Sequence, residues 1–198
     1  MLTLAIDTAY QYLTVCLFDG ESLLAGFSEV CFKKQSENVF PVLQELLDET
    51  RLKLSDVKRV VITQGPGSYT GLRIAMTIAK IMGTQSDCEV DVISTMQLYA
   101  GMADQANVIL DARGHRAYTA HLEKGNITWM GVLDVDELED FLNSHPGDLY
   151  GDGQLVNREA AESLFVQNFM DLQPVYKKVE NVHALTPDYL KESSSYKV

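Results

Sequence analysis

The sequence predicts an α/β fold that is built twice within one chain. Each half opens on a β-rich run that ends in an aspartate, Asp7 in the first half and Asp111 in the second. Each half later contains a Gly-x-Gly turn, at 65–67 and at 151–153, that follows a predicted strand. The repeated order of these features indicates two halves of the type β-β-β-α-β-α-β-α, with the second half abbreviated.

The first half begins with three short β-rich runs. They are LTLAID (2–7), LTVCLFD (13–19) and SLLAGFSEV (22–30). Asp19-Gly20 between the second and third runs is a strong hairpin signal, because both residues tolerate a positive φ. We therefore expect a three-stranded antiparallel meander at the start of the chain.

Helices and strands alternate in the rest of the first half. Apolar residues at helical spacing predict a helix over 37–51, with Ser36 as its N-cap. The predicted elements that follow are a strand at 59–64, a helix at 69–83, a strand at 90–94 and a helix at 95–104. A mixed sheet with helices on its faces is the expected result.

The second half repeats this order from residue 107. Its predicted elements are a strand at 107–112, a hairpin over 116–133 that turns at Lys124-Gly125-Asn126, a helix at 136–144, a strand at 147–153 and a helix at 155–165. We place the boundary between an N-terminal half, 1–105, and a C-terminal half, 106–198. Two such halves predict the actin-like (ASKHA, ribonuclease H-like) duplicated fold, in which sugar kinases and Hsp70-type ATPases hold a nucleotide in a cleft.

Composition restricts the function. The 198 residues include 28 Asp and Glu against 16 Lys and Arg, a formal net charge of -12. A surface this acidic repels phosphate backbones, so we do not expect tight, direct binding of RNA or DNA by this chain alone, and an indirect role beside a basic partner stays open. The three cysteines are widely spaced among apolar residues, and the N-terminal run carries no basic segment. These features predict a cytoplasmic protein with no membrane span.

The stretch GPGSYTGLRIA (65–75) has the glycine content of a phosphate-binding loop. It lacks the lysine that a P-loop carries after its last glycine, and Thr70 stands where the dinucleotide fingerprint needs a glycine. It also places Ser68 one position early for a nucleophile elbow, and a serine there is more simply a helix N-cap. We expect a strand-to-helix turn and no catalytic residue.

Four segments carry a resemblance to one family. LAIDTA (4–9), VVITQGPGSYTGLRIAMTIAK (60–80), ILDARGHRAYTAHL (109–122) and TPDYLKE (186–192) resemble the bacterial TsaB family, also called YeaZ. The resemblance implies a pseudo-enzyme that pairs with its paralogue TsaD, which transfers a threonylcarbamoyl group onto the adenosine 3′ of the tRNA anticodon. It also implies a larger complex with the small ATPase TsaE.

The resemblance allows the metal motif of TsaD to be sought here. In TsaD the metal is held by an H-x-x-x-H motif that follows the strand after the glycine-loop helix. The corresponding positions here are near Thr95 and Tyr99, and neither residue replaces a histidine as a ligand. We therefore expect no metal site. ATP or ADP and a metal ion are expected on the partner subunits, and none of them on this chain alone.

Asp7, Asp111 and Gly114 are the candidate cofactor-binding residues. The two aspartates could orient a metal-bound water, or each could accept hydrogen bonds within its own turn, as Asp commonly does. The first turn, residues 7–14, contains no glycine, and the second contains only Gly114. Because phosphate loops use glycine for close backbone approach, we expect weak or absent nucleotide binding.

The helices predicted at 37–51 and 69–83 carry apolar faces that suggest a partner interface, with ordinary core packing as the alternative. The candidate interface residues are Val39, Val42, Leu43, Leu46, Gly71, Ile74, Ala75, Ile78, Ala79 and Met82. Replacing Ala75 and Ala79 together by Glu is expected to abolish pairing and to spare the fold. The same helices could form a homodimer when the partner is absent.

These expectations favour a non-catalytic subunit that binds and activates a TsaD-type transferase in forming N6-threonylcarbamoyladenosine on tRNA. The alternative is an actin-like ATPase or small-molecule kinase that acts alone. The missing glycine in the first turn argues against this alternative, and an ATPase assay on the lone chain would separate the two.

Overall fold

The computed structural model describes residues 1–31, 33–85 and 88–190. Residues 191 and 192 of the TPDYLKE segment therefore lie outside the described residues. The chain forms two units: the first contains Met1–Thr95 and Tyr176–Asp188, and the second contains Met96–Val175 with Tyr189 and Leu190. The predicted halves follow the order of elements in the sequence, whereas these units are defined by packing.

The first unit is built around one sheet. Its elements are β1 (Leu2–Asp7), β2 (Tyr12–Asp19), β3 (Ser22–Val30), α1 (Gln35–Thr50), β4 (Arg59–Thr63), α2 (Tyr69–Gln85) and β5 (Glu89–Ile93). β1, β2 and β3 form the predicted antiparallel meander, and β4 and β5 extend the sheet in parallel from β1. Alternate strand residues such as Leu4, Ile6 and Val60 face α1 and α2, so one face of the sheet and the two helices share a hydrophobic core.

The second unit repeats this arrangement in a shorter form. Its elements are α3 (Thr95–Ala100, whose first residue belongs to the first unit), β6 (Ala106–Asp111), β7 (Arg116–Glu123), β8 (Asn126–Asp134), α4 (Leu138–Ser144), β9 (Asp148–Gly151) and α5 (Phe165–Asp171). β6, β7 and β8 form a second antiparallel meander, and β9 pairs in parallel with β6. The chain then returns to the first unit, where β10 (Lys177–Lys178) pairs with β5.

The strand orders confirm the predicted duplication. The first sheet has the order β10-β5-β4-β1-β2-β3 and the second the order β8-β7-β6-β9. In both, a meander is joined through its first strand to a parallel neighbour, which is the actin-like duplicated topology with an abbreviated second half. No helix within the described ranges is long and apolar enough to cross a membrane.

Three predicted helix details were wrong. No helix covers 155–165, because Asn157 has a left-handed φ of 51° and Ala161 pairs with Tyr150 of β9 instead. α3 ends at Ala100, where Gly101 turns with a φ of 58°. α1 starts at Gln35 with Lys34 at the N-cap position and no capping side chain, so Ser36 lies inside the helix.

Candidate functional site

The glycine-rich segment joins β4 to α2 and packs against the turn between β1 and β2. A Cβ atom at Gly67 would overlap the carbonyl oxygen of Ala9, and one at Gly71 would overlap that of Thr8. The two backbones therefore approach more closely than any side chain permits. Gly67 and Gly71 serve this backbone contact.

Hydrogen bonds fix the same contact. The Ser68 amide donates to the Ala9 carbonyl at 2.7 Å, and the Thr8 hydroxyl donates to the Gly71 carbonyl at 2.7 Å. Ser68 Oγ accepts a 3.3 Å hydrogen bond from the Gly71 amide, so the predicted N-cap of α2 is confirmed. The Ser68 amide, a donor of the kind that a phosphate loop offers to its ligand, is here bonded to the first turn.

A returning segment covers the start of the loop. We call Tyr176–Asp188 the strap, since it belongs to the first unit although it follows the second in sequence. The Asp188 amide donates to the Gln64 carbonyl at 2.8 Å, and Gln64 Nε2 donates to the Thr186 carbonyl at 2.9 Å. Gly65 has a φ of 130°, and a Cβ there would lie 2.5 Å from the Asp188 carbonyl oxygen. The strap thus requires glycine at position 65.

Asp7 is the last residue of β1, which lies between β2 and β4 in the first sheet, and it pairs with Thr14 of β2. Its Oδ1 accepts a 3.0 Å hydrogen bond from the Ala9 amide and another from the Thr63 hydroxyl. Burial raises the pKa of Asp7 to about 6. The two hydrogen bonds lower this pKa, but they offset only part of the rise. The carboxylate is committed to its own turn, which is the simpler of the two roles expected for it.

Asp111 makes the corresponding interaction in the second unit. Its Oδ1 accepts a 2.7 Å hydrogen bond from the Arg113 amide, and its own amide donates to Asp152 Oδ2 at 2.7 Å. Unlike Asp7 it is exposed. Gly114, the third candidate cofactor-binding residue, has a φ of 64° and open space within 4 Å of where a Cβ would stand. The second turn is therefore accessible where the first is filled.

The positions that correspond to the metal motif of the paralogue are both buried. Thr95 is fully buried, and its hydroxyl has no hydrogen-bond partner among the described residues. The Tyr99 ring packs edge-on against Phe165 at 4.9 Å. No three His, Cys, Asp or Glu side chains in the described ranges come together as a metal site would require. That this chain binds no metal stays a prediction.

The ten candidate interface residues lie in or next to the core of the first unit. Eight of them belong to that core: Val39, Val42, Leu43, Leu46, Ala75, Ile78, Ala79 and Met82. Gly71 is buried against Thr8, and Ile74 is only partly buried. Ala75 and Ala79 are at most 1% exposed, so replacing them by Glu would unfold the unit, and the expected sparing of the fold is corrected.

The apolar side chains of α1 and α2 that are exposed lie close in sequence to these ten candidates. Phe40 of α1 is 60% exposed, and Tyr69 and Ile81 of α2 are 58% and 51% exposed. Ile74 and Ile81 are seven residues apart and so share one stripe of α2. Sequence reasoning missed Phe40 and Tyr69 because periodicity shows that a helix has an apolar face, and packing decides which face the sheet covers.

Known proteins resemble this chain along most of its length. The family model described as "TsaD: tRNA N6-adenosine threonylcarbamoyltransferase" matches residues 28–182. The tRNA threonylcarbamoyladenosine biosynthesis protein TsaB of Bacillus subtilis is 24% identical over 218 residues, which cover 96% of this chain and 94% of the relative. The protein of the same name from Escherichia coli is 30% identical over 138 residues, covering 66% of this chain and 59% of the relative.

Two solved structures share the fold. A Pseudomonas aeruginosa protein described as similar to the peptidase YEAZ superposes with a TM-score of 0.78 at 21% identity, covering 96% of this chain and 99% of the other. YeaZ from Pseudomonas aeruginosa superposes with a TM-score of 0.75 at 20% identity, with the same coverage. At this level of identity the likeness establishes a shared fold.

Proposed function

Because the chain belongs to the family that the TsaD transferase model describes, and within it resembles the TsaB (YeaZ) proteins throughout, we propose that it is a non-catalytic subunit in tRNA threonylcarbamoyladenosine biosynthesis. It binds a TsaD-type transferase and activates it to form N6-threonylcarbamoyladenosine on tRNA. The transferase holds ATP or ADP and the metal ion, and this chain alone holds neither. A TsaE-type ATPase joins the larger complex, and the chain pairs with itself when the transferase is absent.

The contact between the glycine-rich segment and the first turn carries this proposal. An actin-like kinase needs backbone amides of its first turn and nearby glycines free to surround phosphate. Here the Ser68 amide is bonded to Ala9, and Gly67 and Gly71 leave no room for even a methyl group beside the turn. A nucleotide phosphate in this position would have to displace the unit's own backbone. The geometry therefore supports a scaffold in preference to a kinase.

The docking surface proposed for the transferase is the exposed face of α1 and α2. The two helices contact each other within the first unit. Phe40, Tyr69 and Ile81 are each more than half exposed, and the Arg73 guanidinium lies over the Tyr69 ring at 4.8 Å. Exposed apolar side chains that form one patch mark surfaces that bind other proteins. A helical partner with a matching apolar face would bury these side chains.

Co-expression with a TsaD-type transferase tests the function directly. We expect the two chains to co-purify, and we expect cells depleted of this chain to lose threonylcarbamoyladenosine from their tRNA, as measured by mass spectrometry of digested nucleosides. The modified nucleoside persisting at its normal level after depletion would refute the proposal. Hydrolysis of ATP by the purified lone chain would favour the kinase alternative instead.

Charged substitutions test the docking surface. The double variant Phe40→Glu, Ile81→Glu is expected to fold normally and to lose co-purification, because two desolvated carboxylates would face the partner. Leu24→Glu is the control, since Leu24 is 42% exposed and belongs to β3, outside both helices. Retained pairing of the double variant would place the interface elsewhere on the chain.

A further inference from the structure

We propose that residues 112–116, which comprise the turn between β6 and β7 and the first residue of β7, bind phosphate groups of the tRNA backbone; this rests on the proposed function, which makes tRNA the substrate. We call these residues the basic turn. The contact would position the tRNA beside the transferase and would read no sequence.

The duplication supplies an internal comparison. The turn after β1 and the basic turn occupy the same place in the two repeats, each following an aspartate that accepts the amide two residues later. The first turn carries no cation; its Ala9 carbonyl accepts from the Ser68 amide, and its Thr8 hydroxyl donates to the Gly71 carbonyl. In the second unit the Gly-x-Gly segment packs on β6 instead, where Gly151 lies against the Ile109 carbonyl. This leaves the tip of the basic turn uncovered by its own repeat.

The backbone of the basic turn is strained. Arg113, Gly114 and His115 have φ values of 63°, 64° and 59°, the one run of three left-handed residues in the described chain. Side chains at positions 113 and 115 make this conformation unfavourable, and glycine would relieve it. Both side chains are exposed, and His115 contacts Asp136, whereas no ion pair among the described residues explains the conformation of Arg113. The strain at Arg113 therefore points to a use for its side chain.

The basic turn carries three basic side chains: His115 contacts Asp136 through Nε2 at 3.1 Å, and Arg116 stands opposite Asp134 in the pairing of β7 with β8. Residues 96–175 contain only four Lys and Arg, against thirteen Asp and Glu. Lys124 lies 3.7 Å from Asp104, and Arg158 is paired with Glu139. The guanidinium groups of Arg113 and Arg116 form neither an ion pair nor a hydrogen bond with any residue that the structure describes. Both unpaired cations of this acidic segment are therefore in one turn.

The two arginines act on the same place. Burial raises the pKa of the Tyr118 phenol, and the positive charges of Arg116 and Arg113 both oppose this rise. Arg116 and Tyr118 are two residues apart on β7 and so lie on the same face of the strand. Two cations that both act on one phenol can meet adjacent phosphates of one strand.

The open shape favours a polymer backbone over a free nucleotide. Arg113, Gly114 and His115 at the tip are all exposed, and nothing lies within 4 Å of a Cβ built at Gly114. A small nucleotide needs a concave site, whereas a phosphodiester backbone can contact an exposed tip. The exposed Asp111 carboxylate at the base of the turn disfavours a triphosphate, which would have to sit against it.

Removal of matched charges tests the proposal. In the complex with the transferase, we compare Arg113→Ala, Arg116→Ala with Lys124→Ala, Arg158→Ala, which removes the same charge from the same segment. The probe is an unmodified transcript of a substrate tRNA, bound across a series of salt concentrations. We expect the Arg113, Arg116 double variant to bind the tRNA about tenfold to a hundredfold more weakly and to reduce the slope of log K against log salt by about 2. The control double variant should change both the affinity and the slope by less.

A second variant uses the strain. Arg113→Gly removes one guanidinium and relieves the left-handed backbone, so we expect a higher melting temperature together with weaker tRNA binding. A merely structural turn would gain stability and keep its affinity for tRNA, which would overturn the proposal.

The other outcomes distinguish failure of the proposed tRNA contact from failure of the proposed function. Loss of affinity for ATP with unchanged affinity for tRNA would assign the turn to a nucleotide, and loss of complex formation would assign it to the partner protein; both overturn the proposal. If the wild-type chain forms no complex, the proposed function fails on its own. The variants are then compared as isolated chains in low salt, where equal tRNA binding by both double variants would again overturn the proposal.

Discussion

Asp7 is a carboxylic acid whose charged form is disfavoured by burial in the first unit. It is 1% exposed, and burial raises its pKa from 3.8 to about 6. The folded protein therefore holds a proton there more tightly than the unfolded chain does. Because the folded pKa is raised, the contribution of Asp7 to stability is present at acid pH and is lost as the pH rises from about 4 through 6.

Asp7→Asn should remove this dependence. The free energy of unfolding of the wild type minus that of the variant is expected to fall by up to about 3 kcal/mol between pH 4 and pH 7.5, because only the wild type has to ionise a buried carboxyl group. Urea denaturation at several pH values measures it, and taking the difference cancels the general repulsion of an acidic chain. A difference that stays constant with pH would show that Asp7 titrates normally.

Gly71 tests whether the close backbone approach is required. Alanine is the better helix former, yet at this position its methyl group would overlap the Thr8 carbonyl. We expect Gly71→Ala to lower the free energy of unfolding by about 3 kcal/mol. Gly20→Ala is the control, since position 20 has a φ of 60° and open space, and should cost about 1 kcal/mol. Equal losses at both positions would mean that the turn after β1 moves away to accommodate the added methyl group.

At the scale of elements, α2 has two apolar faces with different roles. Ala79 is fully buried against the sheet, whereas Ile81 is 51% exposed. We expect Ala79→Glu to lower the free energy of unfolding by about 4 kcal/mol, because it buries an unpaired charge. Ile81→Glu alone should change stability by no more than about 0.5 kcal/mol. Thermal denaturation of the two variants distinguishes them, and similar losses would contradict the assignment of faces.

At the scale of the whole molecule, the chain leaves the first unit after Thr95 and comes back to it through the strap. Leu185 is 7% exposed in the core of the first unit, and Val182 and Val179 pack beside it. β10 also covers the outer edge of β5, which would otherwise be open to pairing with other chains. The first unit is thus completed by residues from the far end of the sequence.

Leu185→Ala should therefore destabilise the first unit. We expect a loss of about 2 to 3 kcal/mol in the free energy of unfolding, as for other buried leucines. His183→Ala is the control, because His183 is exposed in the same strap. Hydrogen exchange followed by mass spectrometry would show whether the amides of β4 and β5 lose protection. Unchanged protection in the Leu185 variant would mean that the strap is dispensable.

The sequence by itself determined the duplicated α/β fold, both meanders and the two long helices, because these depend on hydrophobic periodicity and turn residues that act locally. It also determined that Asp7 and Asp111 open equivalent turns. Tertiary structure alone decided that the glycines at 65–75 receive the chain's own backbone, that the strap completes the first unit, and that Ala75 and Ala79 are core while Phe40 and Ile81 face outward. Each of these depends on contacts between residues far apart in sequence, which local patterns do not encode.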